Sequence, residues 1–149
     1  MSDGPGSRPR PRARLPWYRE GLRFACLAEC GACCRKHGDC DYVYLEGDDA
    51  ERLAALLGLT RDELLSRHGA KEDGLDILRM DGPDCPFLRG SACAVYDARP
   101  RQCRTFPFWR ENLRNRSSWE KLREFCPGIG AGDLHPLEAI RSRLAKERP

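Results

Sequence analysis

Four thiols fall within nine residues in the stretch Cys26-Leu27-Ala28-Glu29-Cys30-Gly31-Ala32-Cys33-Cys34. At this spacing a short loop can wrap several sulfurs around one thiophilic centre, which is what zinc or an iron–sulfur cluster requires. Five more cysteines follow, at Cys40, Cys85, Cys93, Cys103 and Cys126. The total of nine is odd and fits a closed disulfide framework poorly. The sequence also shows no secretory h-region and no apolar run long enough to span a bilayer. A cytoplasmic location is the expectation. In that reducing compartment clustered cysteines bind metal or catalyse rather than pair as disulfides.

A chain of 149 residues suits one domain with a modest core. Residues 1–16 read as a disordered basic tail, because Pro5, Pro9, Pro11 and Pro16 interrupt regular structure and little apolar surface offsets ordering entropy. Arg8, Arg10, Arg12 and Arg14 lie there against Asp3, so the net charge of +3 belongs to the tail. The body, residues 17–149, is balanced and is expected to form a single cysteine-cluster metal-binding domain. Its neutrality argues against nucleic acid as a partner.

The local pattern predicts a small α+β fold, mostly helical with short strands or a hairpin, organised around a cysteine-ligated metal core. Tyr42 to Leu45 and Leu75 to Met80 read as strands. One helix is expected from about Asp48, capped by Asp48 or Asp49, to Leu57, with Gly58 as its stop. A second starts at Thr60, where Glu63 completes a capping box, and is expected to stop at Gly69. This helix pair should cover the metal core. Cys85 to Leu88 and Cys93 to Tyr96 resemble two hairpin arms around Arg89-Gly90-Ser91, each arm starting with a cysteine. A short helix from Asp97 through Pro100 and Cys103 is expected next, then an aromatic loop at Phe106-Pro107-Phe108-Trp109. A helix capped by Ser117 or Ser118 should run to Cys126, and a last one should begin near Asp133 and Pro136. Gly128-Ile129-Gly130-Ala131-Gly132 reads as a flexible joint between helices, since it follows a helix rather than a strand and so is no dinucleotide fingerprint.

With Cys40 set aside, eight cysteines remain and divide as four plus four by tetrahedral ligand count. Neighbouring side chains of extended backbone point apart, so Cys33 and Cys34 either serve two centres, or one is a ligand and the other a small buried hydrophobe. Phe24-Ala25-Cys26, Cys30-Gly31-Ala32-Cys33-Cys34, Cys85-Pro86-Phe87-Leu88, Cys93-Ala94-Val95-Tyr96, the run Arg99-Pro100-Arg101-Gln102-Cys103-Arg104-Thr105-Phe106-Pro107-Phe108 and Cys126-Pro127-Gly128-Ile129-Gly130 together resemble the YkgJ-type cysteine cluster family of zinc- or iron-chelating, iron–sulfur-containing domains. The resemblance runs from about Phe24 to Gly132. It implies Cys26, Cys30, Cys33, Cys34, Cys85, Cys93, Cys103 and Cys126 as metal ligands and leaves Cys40 outside. The chain departs from the family by having three residues rather than two between Cys26 and Cys30.

The implied cofactor is an iron–sulfur cluster or zinc. The dense cysteine loop and the lack of a convincing histidine ligand favour iron–sulfur. His37, His68 and His135 read as a loop, a helix-end and a loop histidine. Arg99, Arg101 and Arg104 flank Cys103 and are candidates to offset cluster charge, with a solvated helix face as the ordinary alternative. Phe87, Tyr96, Phe106, Phe108 and Trp109 suit either an apolar shell or a plain core. A similar cluster occurs in flagellin lysine methylases, so the implied uses are redox work or service to an enzyme, against a structural zinc module for metal handling or protein interaction.

Overall fold

The computed structural model describes residues 13–27, 30–35, 42–80 and 82–146. Most of the expected tail, together with His37 and Cys40, lies outside the described residues. Residues 13–16 have no regular structure, and the first turn closes where the Arg19 amide donates to the Pro16 carbonyl at 3.1 Å.

The part between the two cysteine groups follows its local chemistry. Helix α1 spans Asp49–Leu57 and stops at Gly58, whose φ of 68° is the left-handed C-terminal conformation that glycine adopts without strain. Helix α2, Arg61–His68, begins at Thr60, and the capping box forms in both directions, Glu63 N–H to Thr60 Oγ1 and Thr60 N–H to Glu63 Oε2. Strand β2 (Tyr42–Tyr44), β3 (Gly69–Glu72) and β4 (Leu75–Arg79) make an antiparallel sheet in the order β2-β4-β3. Gly69 stops α2 as expected, though not in a left-handed conformation. Its backbone is extended, φ −103°, because α2 runs straight into β3, and glycine is needed for clearance, since a Cβ would lie 2.8 Å from Leu65 Cα.

The aligned leucines of the two helices bury against this sheet. Leu53 and Leu64 are fully buried and pack with Leu45, Ala50, Ala54, Leu78, Phe87, Val95 and Ala98. Each such leucine contributes about 1.5–3 kcal/mol through apolar burial. Cys85 and Cys93 pack against the same cluster. The helix pair therefore shares its cluster with Cys85 and Cys93 alone of the second cysteine group, while Cys126 belongs to a different cluster.

Four expectations are corrected in the second half. The hairpin is shorter than expected, β5 (Leu88–Arg89) with β6 (Ala92–Cys93), and Leu88 pairs with Cys93. Cys85 precedes it, and Cys93 ends its second arm. The helix through Cys103 is broken. A 3₁₀ turn at Tyr96–Ala98 ends before Pro100, Arg99 is forced extended as the residue before proline, and helix α3 then spans Arg101–Thr105. A short helix α4 (Arg110–Leu113) follows the aromatic loop, and helix α5 (Arg116–Lys121) is capped not by a serine but by Asn115, whose Oδ1 accepts from Ser118 N–H at 2.8 Å. Finally, Ile129–His135 is not a joint but strand β7, which includes Asp133 and pairs antiparallel with strand β1, Leu22–Phe24. Helix α6, Leu137–Leu144, starts after Pro136.

Two glycines explain the strand. Gly130 and Gly132 have φ of 80° and 72°, and side chains there would run into Arg123 and Ala25. Around this ribbon lies a second cluster of Phe108, Leu113, Trp119, Leu122, Cys126, Ile129 and Ile140, joined by Phe24, Phe106 and Trp17. Trp17 Nε1 donates to the Leu113 carbonyl at 2.7 Å and ties the first turn to α4. No described helix is long and apolar enough to cross a membrane.

Candidate metal centre

The cysteine loop is shaped by Gly31. Its φ of 60° is left-handed, and it initiates a 3₁₀ turn at Ala32–Cys34 in which the Cys34 amide donates to the Gly31 carbonyl at 3.0 Å. A Cβ at Gly31 would lie 2.5 Å from Ser91 O, so the loop rests directly on the β5–β6 turn. The turn alters the expectation for Cys33 and Cys34. Their backbone is not extended, successive side chains are about 120° apart in a 3₁₀ turn, and their thiols hydrogen-bond to each other.

The first and second cysteine groups meet. Cys85 N–H donates to Cys34 O at 2.6 Å, next to a bridge between Arg35 and Asp84. The Cys34 thiol also hydrogen-bonds to Cys93. Cys34 thus sits between two sulfurs, and the bonds it donates hold Cys33 down to about 7 and Cys93 down to about 6 from the ordinary 9.0. Arg99 lowers both further through its charge. Cys34 itself is pushed far up by the same two bonds and by burial. Burial pushes Cys103 up to about 12, with the charges of Cys33, Cys85 and Cys93 adding to it. Burial likewise raises Cys85 and Cys126.

These influences sort the thiols. Cys33, Cys34, Cys85, Cys93 and Cys103 act on one another. Cys126, which lies in the second apolar cluster, responds to Cys30 and Cys33. Cys33 is the sulfur common to both sets. Cys26 is exposed and bonds to the Tyr96 phenol. All eight cysteines remain free thiols, and among the described residues no three Cys, His, Asp or Glu side chains stand at metal-holding spacing. The described histidines lie against other groups, His68 on the Phe87 ring at 5.0 Å and His135 on the Phe24 carbonyl at 2.8 Å.

Of the three arginines, Arg99 faces the thiols. Its guanidinium lies 3.7 Å over the Tyr96 ring, and its Nε donates to Tyr96 O at 3.0 Å. Arg101 and Arg104 meet Asp49. This carboxylate is fully buried and accepts the Arg101 N–H at 3.0 and 3.1 Å, the Glu46 N–H at 2.9 Å and Arg104 Nη2 at 3.4 Å. Asp49 therefore ties the start of α1 to the start of the Cys103 helix. Local sequence could not single it out, because Asp48 and Asp49 suit a helix start equally well. Tyr96 was legible only as one aromatic among several. Phe87 and Phe108 are buried in separate clusters, so the aromatic residues form no single shell around the sulfurs.

A family model, CxxCxxCC, described as “Putative zinc- or iron-chelating domain”, matches residues 25–127. That span contains every cysteine of the site. No solved structure matches the chain.

Proposed function

The chain belongs to this zinc- or iron-chelating family, and from that premise we propose that Cys26, Cys30, Cys33, Cys34, Cys85, Cys93, Cys103 and Cys126 are the ligands of a thiolate metal centre holding iron–sulfur. The observation that carries this reading is Cys34, whose backbone bonds to Cys85 and whose thiol bonds to both Cys33 and Cys93. Cys33 and Cys93, acidified beside the Cys34 sulfur, offer thiolates that a thiophilic cation can take, and binding of the cation would draw off the Cys34 proton. The donor chemistry fits, since Cys33, Cys34, Cys85, Cys93 and Cys103 act on one another as thiols and neither described histidine competes. An iron–sulfur cluster would supply one-electron redox chemistry at this place. The chain's own part is to offset negative charge with Arg99, to hold Cys26 through the Tyr96 phenol, and to keep water from one side of Cys85 and Cys93 with Phe87 and Val95.

A structural zinc centre is the second reading. It is favoured by the position of the thiols between two separate apolar clusters, each small, which a closed metal knot would join. Anaerobic purification followed by metal, acid-labile sulfide and visible-absorption measurement decides between them. Iron with sulfide is the expected result. Zinc alone transfers the conclusion to the structural reading, and a fully folded protein that takes up neither metal overturns both.

A further inference from the structure

Cys26 also lines a cleft of about 320 Å³ whose walls have no part in holding sulfur. Its apolar side is made by the rings of Phe24, Phe106 and Phe108, with Phe24 edge-on to Phe106 at 6.5 Å and to Phe108 at 5.9 Å. Its polar side carries Arg104, Arg143, His135 and Asp133. Arg143 lies 5.0 Å over the Phe108 ring, and its Nη1 is 3.3 Å from His135 Nδ1. His135 Nε2 donates to the Phe24 carbonyl at 2.8 Å, which leaves Nδ1 as the acceptor for Arg143. Arg143 is thus aimed by the Phe108 ring and the His135 imidazole, and among the described residues it makes no ion pair.

Arg104 and Arg143 also border a second cleft of about 460 Å³ that adds Arg101 and Lys146. The opposing carboxylates are Asp133 and Asp48 at the rims and Asp49 behind Arg104, so cations outnumber acids where the clefts meet. Phe24, Gly132, Asp133, His135 and Arg143 lie outside residues 25–127, so half of this cleft is not part of the family's cysteine domain.

We propose that the cleft binds a small organic anion, a carboxylate or phosphate head on a flat apolar body. The head lies between Arg104 and Arg143, whose planar forks suit such oxygens, and the body lies on the three phenylalanine rings. The volume is at the lower end for small-molecule sites, ~300 Å³ upward, so one ring and its head fill it. The bound molecule lies beside Cys26. Its adjacency to a metal rests on the reading above, whereas its binding does not.

The test titrates the full chain, with its metal content measured, using benzoate, phenyl phosphate and the neutral benzyl alcohol, followed by calorimetry. At least one anion is expected to bind at millimolar concentration or below, to weaken as salt rises, and to exceed benzyl alcohol by about tenfold or more. Arg143→Gln should lose that margin while metal content and melting temperature stay unchanged, and Arg143→Lys should recover part of it. Absence of binding by both anions, equal binding of the alcohol, or full binding by Arg143→Gln overturns the proposal. If Arg143→Gln fails to fold, the salt dependence and the neutral analogue decide. A folded protein that takes up no metal on reconstitution yet binds anion defeats only the metal reading, and a metal-loaded one that binds no anion defeats only this one.

Discussion

The amide of Cys85 donates to the carbonyl of Cys34 at 2.6 Å. The last cysteine of the first group and the first of the second are therefore joined through backbone, before any ligand bond is counted. About fifty residues separate the two positions, and closing that loop carries an entropic cost that grows only slowly with length. Docking of the α1–α2 pair on the apolar cluster around Phe87 offsets it. The register between the two cysteine groups is thus a property of the fold, which a metal would reinforce.

Substitution of single cysteines should separate ligands from bystanders. Cys93→Ser and Cys85→Ser are expected to lose metal, and chelation of the wild-type protein under reducing conditions should lower its melting temperature by roughly 10 °C. Cys40→Ser should keep its full metal content. Elemental analysis of purified variants checks this, and loss of a metal equivalent on removal of Cys40 would show the ligand set to be wrong.

Two glycines with similar backbone angles should respond differently to alanine. Gly31, at φ 60°, has Ser91 O in the way of a Cβ, whereas Gly58, at φ 68°, has nothing within 4 Å. Gly58→Ala should cost only the left-handed strain, about 1 kcal/mol. Gly31→Ala should cost about 1–3 kcal/mol and also reduce metal loading, because the loop must lift from the hairpin. Equal effects on loading in the two variants would defeat this account of Gly31.

Removing Asp49 should be costly because it strands two backbone donors as well as unpairing Arg104. Asp49→Ala is expected to destabilise by about 3 kcal/mol. Arg104→Gln should cost about 1 kcal/mol or less, since that side chain is 42% exposed. Urea unfolding of both variants gives the comparison. Equal losses would mean that the carboxylate acts only as an ion-pair partner, not as the tie between α1 and α3.

Asp76 sets a pH dependence. The hydrogen bond from Lys71 at 2.6 Å, helped by the Lys71 charge and by Arg61, holds its carboxyl below the ordinary 3.8. A depressed carboxylate stabilises the fold above its unfolded value, and the gain disappears as pH falls through the folded value. Asp76→Asn should therefore be less stable at neutral pH, by no more than about 1 kcal/mol given its solvated partners, and should match the wild type in strong acid. A difference that persists at low pH would point to packing rather than charge.

The parts that were legible in the sequence are those fixed within a few residues. Thr60 and Glu63 specify a capping box by themselves, Gly58 specifies a stop, and the leucines of α1 specify a buried face. Tyr42–Tyr44 and Leu75–Arg79 were readable because β-formers cluster there. The β1–β7 ribbon was not, because Leu22–Phe24 is only three residues and its partner is more than a hundred positions away. Glycines that read as a joint are there because Ala25 and Arg123 leave no space for side chains. The contact between Cys33 and Cys34 was not legible, because it depends on a 3₁₀ turn that a left-handed Gly31 starts. Asp49 and Arg143 acquire their surroundings only when distant segments arrive.

The ribbon that pairs Leu22 with His135 also imposes an order of events on biosynthesis. Roughly ninety residues are made between Cys34 and Cys126, which at typical elongation rates takes on the order of 5–20 s. During that interval Cys85, Cys93 and Cys103 emerge one after another, while the first four thiols still lack Cys126 and the partner strand. Strand β7 follows Cys126 almost at once, so the last sulfur and the closing strand arrive together. A centre that uses all eight sulfurs would therefore be completed only once Cys126 has emerged, and the supply of metal or cluster would have to be matched to that moment rather than to the emergence of the cysteine loop.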